Sequence, residues 1–153
     1  VAKHPRAHEK LALEIAERWV GKEYRAIVRG LPQPAQARIE TWYGRHPRDR
    51  KKFSSKVADG KKAISEYTVL QTLEGRALVG VTLHTGRTHQ IRVHLADRGH
   101  PLVGDATYGR GAQNFSRPAL HAFRLEVPHP RTGDALRLEQ PIPADMQSLS
   151  DAG

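Results

Sequence analysis

One stretch near the middle of the chain, residues 79–95, constrains the fold more than any other because its hydrophobic period changes once within it. Apolar residues alternate with polar or small ones over residues 79–83, which is the period of a half-buried strand. Beyond Gly86 the apolar residues recur four apart, at Ile91 and Leu95, as they do on one face of a helix. The stretch therefore predicts a strand, a tight turn and a short helix in succession.

Local signals indicate where this predicted helix begins and ends. Thr88 is of a residue type that favours the N-cap, and Gly99 suits the position just after the last turn. Backbone N–H groups at a helix start attract anions, and Arg87 and Arg92 lie close to this one in sequence. The helix start is therefore predicted to suit a phosphate or a carboxylate group.

The chain carries a large excess of positive charge, which bears on the kind of partner it binds. Its 25 Lys and Arg residues outnumber its 16 Asp and Glu residues, for a formal net charge of +9. Eight basic residues against two acidic ones fall between Arg45 and Lys62, so this basic segment alone carries +6. A charge run by itself is most often only a solvated surface. With the whole chain so basic, we expect a polyanion as the partner and an exposed hairpin or loop for the segment.

Length and composition favour one domain, residues 1–153, in a reducing compartment. A chain of 153 residues buries about 68–70% of its unfolded surface on folding, which is enough for a hydrophobic core. Cysteine is absent, so the chain forms no disulfide and no thiolate site. No apolar run approaches the length of a membrane span, and the chain does not open on a signal-peptide pattern. We expect a cytoplasmic protein with no membrane partner.

Alternating segments outnumber helical ones along the chain. Strands are predicted at residues 22–29, 39–43, 63–72, 76–84, 120–127 and 135–139. Helices are predicted at residues 5–20 and between Thr88 as N-cap and Gly99, with at most a short one at 145–149. This order predicts an α+β fold with a mixed, largely antiparallel sheet and a few flanking helices.

A resemblance to a known family rests on motifs spread over nearly the whole chain. The longest is gapless and runs from Thr85 to Leu95, TGRTHQIRVHL; it is followed by the stretch from Gly99 to Asp105 and by Tyr108-Gly109. Shorter pieces agree in the same order: KEYRA at 22–26, LHA at 120–122, PHP at 128–130 and PIPADM at 141–146. Together these motifs resemble the RluA/RluD-type RNA pseudouridine synthases.

The resemblance implies an isomerase that converts uridine to pseudouridine in structured RNA, either rRNA or tRNA, without a cofactor. In that family the tyrosine of a Lys-x-Tyr-x-Ala strand lies against the target base, and this role falls on Tyr24. A basic residue pairs with the catalytic aspartate, and this role falls on Arg92. A packing tyrosine and a surface arginine are the ordinary alternatives for the two positions.

The resemblance also implies that the catalytic aspartate lies outside this chain. In the family it belongs to a His-Arg-Leu-Asp segment shortly before the Val-Ala-Lys with which the chain opens, and no aspartate here stands in that context. The chain therefore resembles the C-terminal portion of the catalytic domain, truncated at its N-terminus, and we expect it to be inactive alone. An unpaired strand edge at the truncation leaves both a monomer and a dimer open.

Further residues are expected to bind RNA or support the site. They are Arg87, Thr88, His89 and Gln90 in the central motif, Arg45, His46, Lys51 and Lys52 in the basic segment, and Asp105 and Tyr108 in the closing motif. The histidines at 84, 89, 94 and 100 invite a metal interpretation. Residues five apart on a helix point about 140° apart, and these four histidines form no HxxxH or HExxH motif. We therefore expect no metal site.

The main alternative to an enzyme is a noncatalytic RNA-binding module that has kept the same scaffold. A His-Arg-Leu-Asp segment encoded upstream of Val1 would favour the enzyme. A gene that begins near Val1 would favour the module.

Overall fold

The computed structural model of the protein describes residues 21–109 and 115–151, which contain seven strands and two helices. The strands are β1 (Gly21–Arg29), β2 (Gln36–Arg45), β3 (Phe53–Ser54), β4 (Lys61–Leu73), β5 (Arg76–Leu83), β6 (Leu120–Pro128) and β7 (Ala135–Glu139). The helices are α1 (Gln90–Asp97) and α2 (Ala144–Asp151), and neither has the length to cross a membrane. The helix predicted over residues 5–20 lies outside the described residues.

The strands form one sheet in the order β3-β2-β4-β5-β1-β6-β7, and every neighbouring pair runs antiparallel. This confirms the predicted α+β class with a largely antiparallel sheet, and no parallel pair occurs within residues 21–109 and 115–151. The strands β2 and β4 extend beyond the predicted 39–43 and 63–72. They do so because they pair with each other continuously, from Gln36 opposite Thr68 to Tyr43 opposite Lys61.

The sheet buries apolar side chains on both faces, with one helix on each. On β1, Val28 points to one face and packs in the same cluster as Ile91 and Leu95 of α1. Its neighbour Ile27 points to the other face and packs with Met146 of α2, as the alternation of side chains along a strand requires. Each such fully buried side chain stabilises the fold by about 1.5–3 kcal/mol. This packing fixes α1 over the centre of the sheet and so positions every polar residue the helix carries.

Helix α1 ends where predicted but begins later than predicted. Its N-cap is His89, whose backbone is left-handed at φ 56°, so the prediction that Thr88 caps the helix is wrong. Because the left-handed residue His89 lies between Thr88 and Gln90, the helical backbone starts only at Gln90. Thr88 is therefore not adjacent to the first residue of the helix. At the other end Gly99 follows the last turn with φ 88°, a conformation that favours glycine.

Between β2 and β4 the chain leaves the edge of the sheet as an arm, residues 46–60, which contains β3 and most of the basic segment. About half of the arm's residues are exposed and none is buried, and among the described residues the arm pairs with the sheet through the end of β2. Its anchor is Phe53, whose ring stacks on that of Tyr43 with centroids 6.0 Å apart. This stacking fixes the arm beside α1.

Candidate active site

A cavity of about 400 Å³ opens where β1, β5 and the start of α1 meet the loop before β6. It is lined by Tyr24, Leu83, Arg87, His89, Gln90, Ile91, Arg92, Arg117, Pro118 and Leu120. The structure thus brings Tyr24 and Arg92, which lie far apart in the chain, to one cavity. This cavity is the candidate active site.

Arg92 is held in the cavity wall by a carboxylate behind it. Its Nε donates to Oδ2 of Asp105 at 2.8 Å and its Nη2 donates to Oδ1 at 2.9 Å. The Arg92 side chain is 17% exposed and that of Asp105 is completely buried. Because a buried charge is costly unless paired, this two-pronged contact fixes the plane of the guanidinium.

The closing motif holds Asp105 itself in place. Its Oδ1 also accepts the backbone N–H groups of Thr107 and Tyr108, each at 3.1 Å. Burial by itself would raise the pKa of this carboxyl group, but the hydrogen bonds from Arg92 and from these N–H groups hold it below its ordinary value. Asp105 is therefore an anion in the folded protein, and the same contact raises the pKa of Arg92.

Tyr24 lines the same cavity from strand β1 of the sheet. On β1 it pairs with Val81 of β5 and with Ala122 of β6, and its half-buried ring packs against the core cluster beneath α1. Burial raises the pKa of the phenol, so it is neutral near pH 7. The site thus combines a neutral aromatic side chain with a fixed cation.

His89 and Tyr108 connect the cavity to the arm. The hydroxyl of Tyr108 lies 2.8 Å from His89 Nδ1 and accepts the backbone N–H of Phe53 at 3.0 Å. Burial and the nearby Arg92 lower the pKa of His89, so the ring is neutral near pH 7 and we assign Tyr108 as the donor to Nδ1. The Tyr108 ring also lies beneath Arg92, whose Cζ is 5.1 Å from its centroid.

Gln90 supports the site from inside and is not accessible to RNA. Its Nε2 donates to Ile64 O at 2.9 Å and to Ser65 Oγ at 2.8 Å. Its Oε1 accepts from Thr85 Oγ1 at 2.7 Å and from the backbone N–H of Arg87 at 3.0 Å. The amide therefore uses its full hydrogen-bonding capacity to fix the turn between β5 and α1.

The remaining candidates of the central motif lie at the mouth of the site. The Thr88 side chain is exposed, while its carbonyl accepts the hydroxyl of Tyr43. Arg87 is half-buried and donates from Nε to the carbonyl of Lys62 at 3.1 Å. Arg87 lines the cavity wall, and Thr88 follows it in the chain with its side chain exposed.

The structure separates the basic-segment candidates from the cavity. Arg45 is exposed and donates to Arg50 O at 2.7 Å. His46 accepts two backbone N–H groups of the arm on Nδ1, while Lys51 is exposed and Lys52 half-buried. The predicted residues thus form two groups, one in or next to the cavity wall and one on the arm or at the adjoining end of β2.

Histidine 94, considered above as a metal ligand, is a buried packing residue. Its Nε2 lies 2.9 Å from Thr41 Oγ1 and its Nδ1 2.9 Å from Ser65 Oγ. Burial lowers its pKa to about 4, with a small opposing effect of Asp97. The described parts of the chain contain no group of three or more residues arranged to hold a metal ion.

Sequence reasoning missed Arg117, which lines the cavity. It donates to both carboxylate oxygens of Asp145, at 3.2 and 3.0 Å, and so ties the loop before β6 to the start of α2. Directly beneath this loop, Gly104 has φ 82°, and a Cβ there would overlap the carbonyl oxygen of Arg117. The only sequence signal for this residue is an arginine immediately before a proline and a predicted strand.

Comparison with known proteins points in the same direction as this geometry. A family profile described as RNA pseudouridylate synthase matches residues 1–97. A Chlorobaculum parvum protein named "Uncharacterized RNA pseudouridine synthase" is 42% identical over 167 residues, covering 96% of this chain and 51% of that protein. The "Ribosomal large subunit pseudouridine synthase D" of Nitrosomonas europaea is 40% identical, covering 99% of this chain and 46% of that protein.

A solved structure shows the same fold. "Human RNA Pseudouridylate Synthase Domain Containing 1" superposes with a TM-score of 0.81 at 30% identity, covering 92% of this chain and 62% of that one. The chain spans about half the length of the curated relatives it matches.

Proposed function

Because the chain belongs to the RNA pseudouridine synthase family, we propose that it is the part of a uridine-to-pseudouridine isomerase that holds the target base and the catalytic arginine. The observation that supports this proposal best is the shared cavity of Tyr24 and Arg92. The substrate is a uridine in structured RNA. The relatives named for the ribosomal large subunit favour rRNA over tRNA.

The proposed reaction rearranges uridine without any net change of atoms. The bond between ribose C1′ and uracil N1 breaks, the base turns, and a new bond joins C1′ to C5. The proton leaves C5 and N1 gains one. A carboxylate nucleophile suits this chemistry, and we place it in the His-Arg-Leu-Asp segment expected before Val1.

Arg92 is suited to hold that carboxylate. Asp105 occupies Nε and Nη2, and within the described residues no hydrogen bond uses the remaining Nη1. This edge of a fixed guanidinium is where a second carboxylate would bind. A charge-assisted hydrogen bond there would keep the nucleophile ionised and oriented.

Tyr24 is suited to hold the uracil. A uridine that reacts at C1′ and C5 must leave its stack, and enzymes commonly hold such a flipped base against an aromatic side chain. The neutral, half-buried phenol gives that face without introducing a charge. Arg87 at the mouth and the basic residues of the arm would bind phosphates.

Release of tritium from RNA labelled at uridine C5 tests the proposal. The full-length protein that contains this chain is expected to release tritium from ribosomal RNA, and residues 1–153 alone are expected to release none. Release by residues 1–153 at the full-length rate would refute the placement of the nucleophile. A full-length protein that binds RNA but releases no tritium from rRNA or tRNA would instead be a noncatalytic binding module. Action in the cytoplasm stays a prediction, to be checked by fractionating the cells.

A further inference from the structure

A second and larger cavity, of about 920 Å³, lies between the arm and the C-terminal half of α1. We refer to it as the arm groove. Lys52 and Lys56 line it from the arm, Arg29 lines it from the end of β1, and Tyr108 forms the wall towards Arg92. The assigned roles of Tyr24 and Arg92 do not use this groove.

The charges that line the arm groove are mainly positive. Three permanently charged side chains, those of Arg29, Lys52 and Lys56, face one carboxylate, that of Asp97. Asp97 accepts the hydroxyl of Ser55 on the arm, so its role is to fasten the arm to α1. No ion pair of the described residues involves Lys52 or Lys56. The arm groove is therefore suited to an anion.

His46 adds a neutral donor to the same wall. Its Nδ1 accepts the backbone N–H groups of Arg48 at 3.1 Å and of Asp49 at 3.0 Å. A neutral ring that accepts on Nδ1 carries its proton on Nε2. His46 lines the groove, so its ring supplies an N–H donor of the kind that phosphate oxygens accept.

The aromatic side chains of the arm groove are already occupied. The ring of Phe53 stacks on Tyr43 and also lies beneath Arg45, whose Cζ is 5.1 Å from the ring centroid. The ring of Tyr108 lies beneath Arg92 and meets the edge of His89. Single-strand binding sites that hold bases do so on open aromatic faces. The described part of the groove therefore offers donors for phosphates, while its Phe53 and Tyr108 rings are already covered by neighbouring side chains.

From these observations we infer that the arm groove binds the phosphate backbone of a single RNA strand without regard to its base sequence. Its volume of about 920 Å³ lies in the range of small-ligand pockets, which suits a short run of one strand. The inference rests on the proposed function and adds to it a second attachment point for the substrate. Base selection is left to the cavity that holds Tyr24.

The test measures binding of the full-length protein to labelled single-stranded oligouridylate and oligoadenylate over a series of salt concentrations. Lys52→Gln combined with Lys56→Gln is expected to lower affinity for both RNAs by about tenfold at low salt. The slope of log affinity against log salt should fall by about 1.4, or about 0.7 for each phosphate that the variant no longer neutralises. Equal reductions on the two RNAs would support backbone binding.

Two control variants separate the groove from general surface charge. Lys61 belongs to the basic segment but does not line the groove, and Arg131 lies in the exposed turn between β6 and β7. Lys61→Gln and Arg131→Gln each remove one positive charge and are expected to change affinity less than Lys56→Gln does. Equal reductions for Lys61→Gln and Lys56→Gln would overturn the groove assignment, as would a reduction confined to one of the two RNAs. A wild-type protein that binds neither RNA would also overturn the groove assignment, whereas the proposed function is tested separately by tritium release from ribosomal RNA.

Discussion

Ion pairs occur on both faces of the sheet, but they differ in what surrounds them. Beside α1, Arg92 and Asp105 meet at 2.8 Å with side chains 17% and 0% exposed. On the other face, Arg38 and Glu66 meet at 3.3 Å with side chains 51% and 44% exposed. Water can replace either partner of the exposed pair, whereas the buried carboxylate has no such substitute. A buried ion pair therefore fixes the positions of its two side chains, whereas an exposed pair of the same charges does not.

The two faces also differ in how many partners each cation has. Arg38 lies between Glu66 and Glu40, and Glu40 also meets Lys62. Within the described residues Arg92 meets one carboxylate, that of Asp105, which is itself held by two backbone N–H groups. The charged groups of the exposed pairs can therefore exchange partners with one another, whereas Arg92 and Asp105 have no such alternative among the described residues.

The largest expected effect is on turnover. In the full-length protein, Arg92→Ala should lower the rate of tritium release by at least about 10²–10³-fold, because the nucleophile would lose the cation that orients it. RNA affinity should change little, since Arg92 is one cation among many. Arg38→Ala removes the same charge from the exposed face and should turn over at the wild-type rate. An Arg92→Ala enzyme with near-normal turnover would contradict the assignment.

The next effect is on stability. Asp105→Ala should lower the free energy of unfolding by about 3–5 kcal/mol, because it leaves the half-buried guanidinium of Arg92 unpaired. Urea unfolding of the full-length protein measures this change. Glu66→Ala is the matched control on the exposed face. If Asp105→Ala and Glu66→Ala lower the free energy of unfolding equally, the burial of Asp105 does not make its ion pair more important for stability.

The pH dependence of stability follows from His94. Its pKa of about 4 in the folded protein lies below the ordinary 6.5, so the unfolded chain takes up the proton first as pH falls. The contribution of the neutral His94 ring to the free energy of unfolding is fully present above about pH 6.5. It is lost progressively as the pH falls towards 4, by about 3 kcal/mol in total. Between pH 6.5 and pH 4, the free energy of unfolding of the His94→Gln variant should fall less than that of the wild-type protein.

The smallest expected effect is the coupling within the exposed pair. A double-mutant cycle of Arg38→Ala and Glu66→Ala should give a coupling free energy of no more than about 0.5 kcal/mol, which added salt should remove. The same cycle for Arg92 and Asp105 should give about 2 kcal/mol or more and resist salt. Equal couplings would show that the two environments are energetically alike.

Sequence patterns predicted the elements whose signals are local. Alternation in β4 and β5 located both strands, because the buried face of a strand repeats every second residue. Gly99 located the end of α1 because a left-handed position after a helix favours glycine. The motif resemblance pointed to Tyr24 and Arg92, and these residues do line one cavity.

Sequence patterns could not predict features that depend on distant partners. Thr88 carries a valid capping signal, but the start of α1 is set by the left-handed backbone of His89. Gln90 was expected to bind RNA or to support the site, and no sequence pattern indicated that its amide is held by residues of β4 and the preceding turn. The pairing of Arg92 with Asp105 depends on how the closing motif folds back beneath α1, which no short-range pattern records.

Gly104 has a consequence for how this protein can vary. Any side chain there would overlap the carbonyl oxygen of Arg117, and the backbone is left-handed as well. A saturation library at codon 104, selected for folded protein, should return glycine alone, with diversity confined to the silent third base. Escape from that restriction would require a compensating change that moves the loop carrying Arg117.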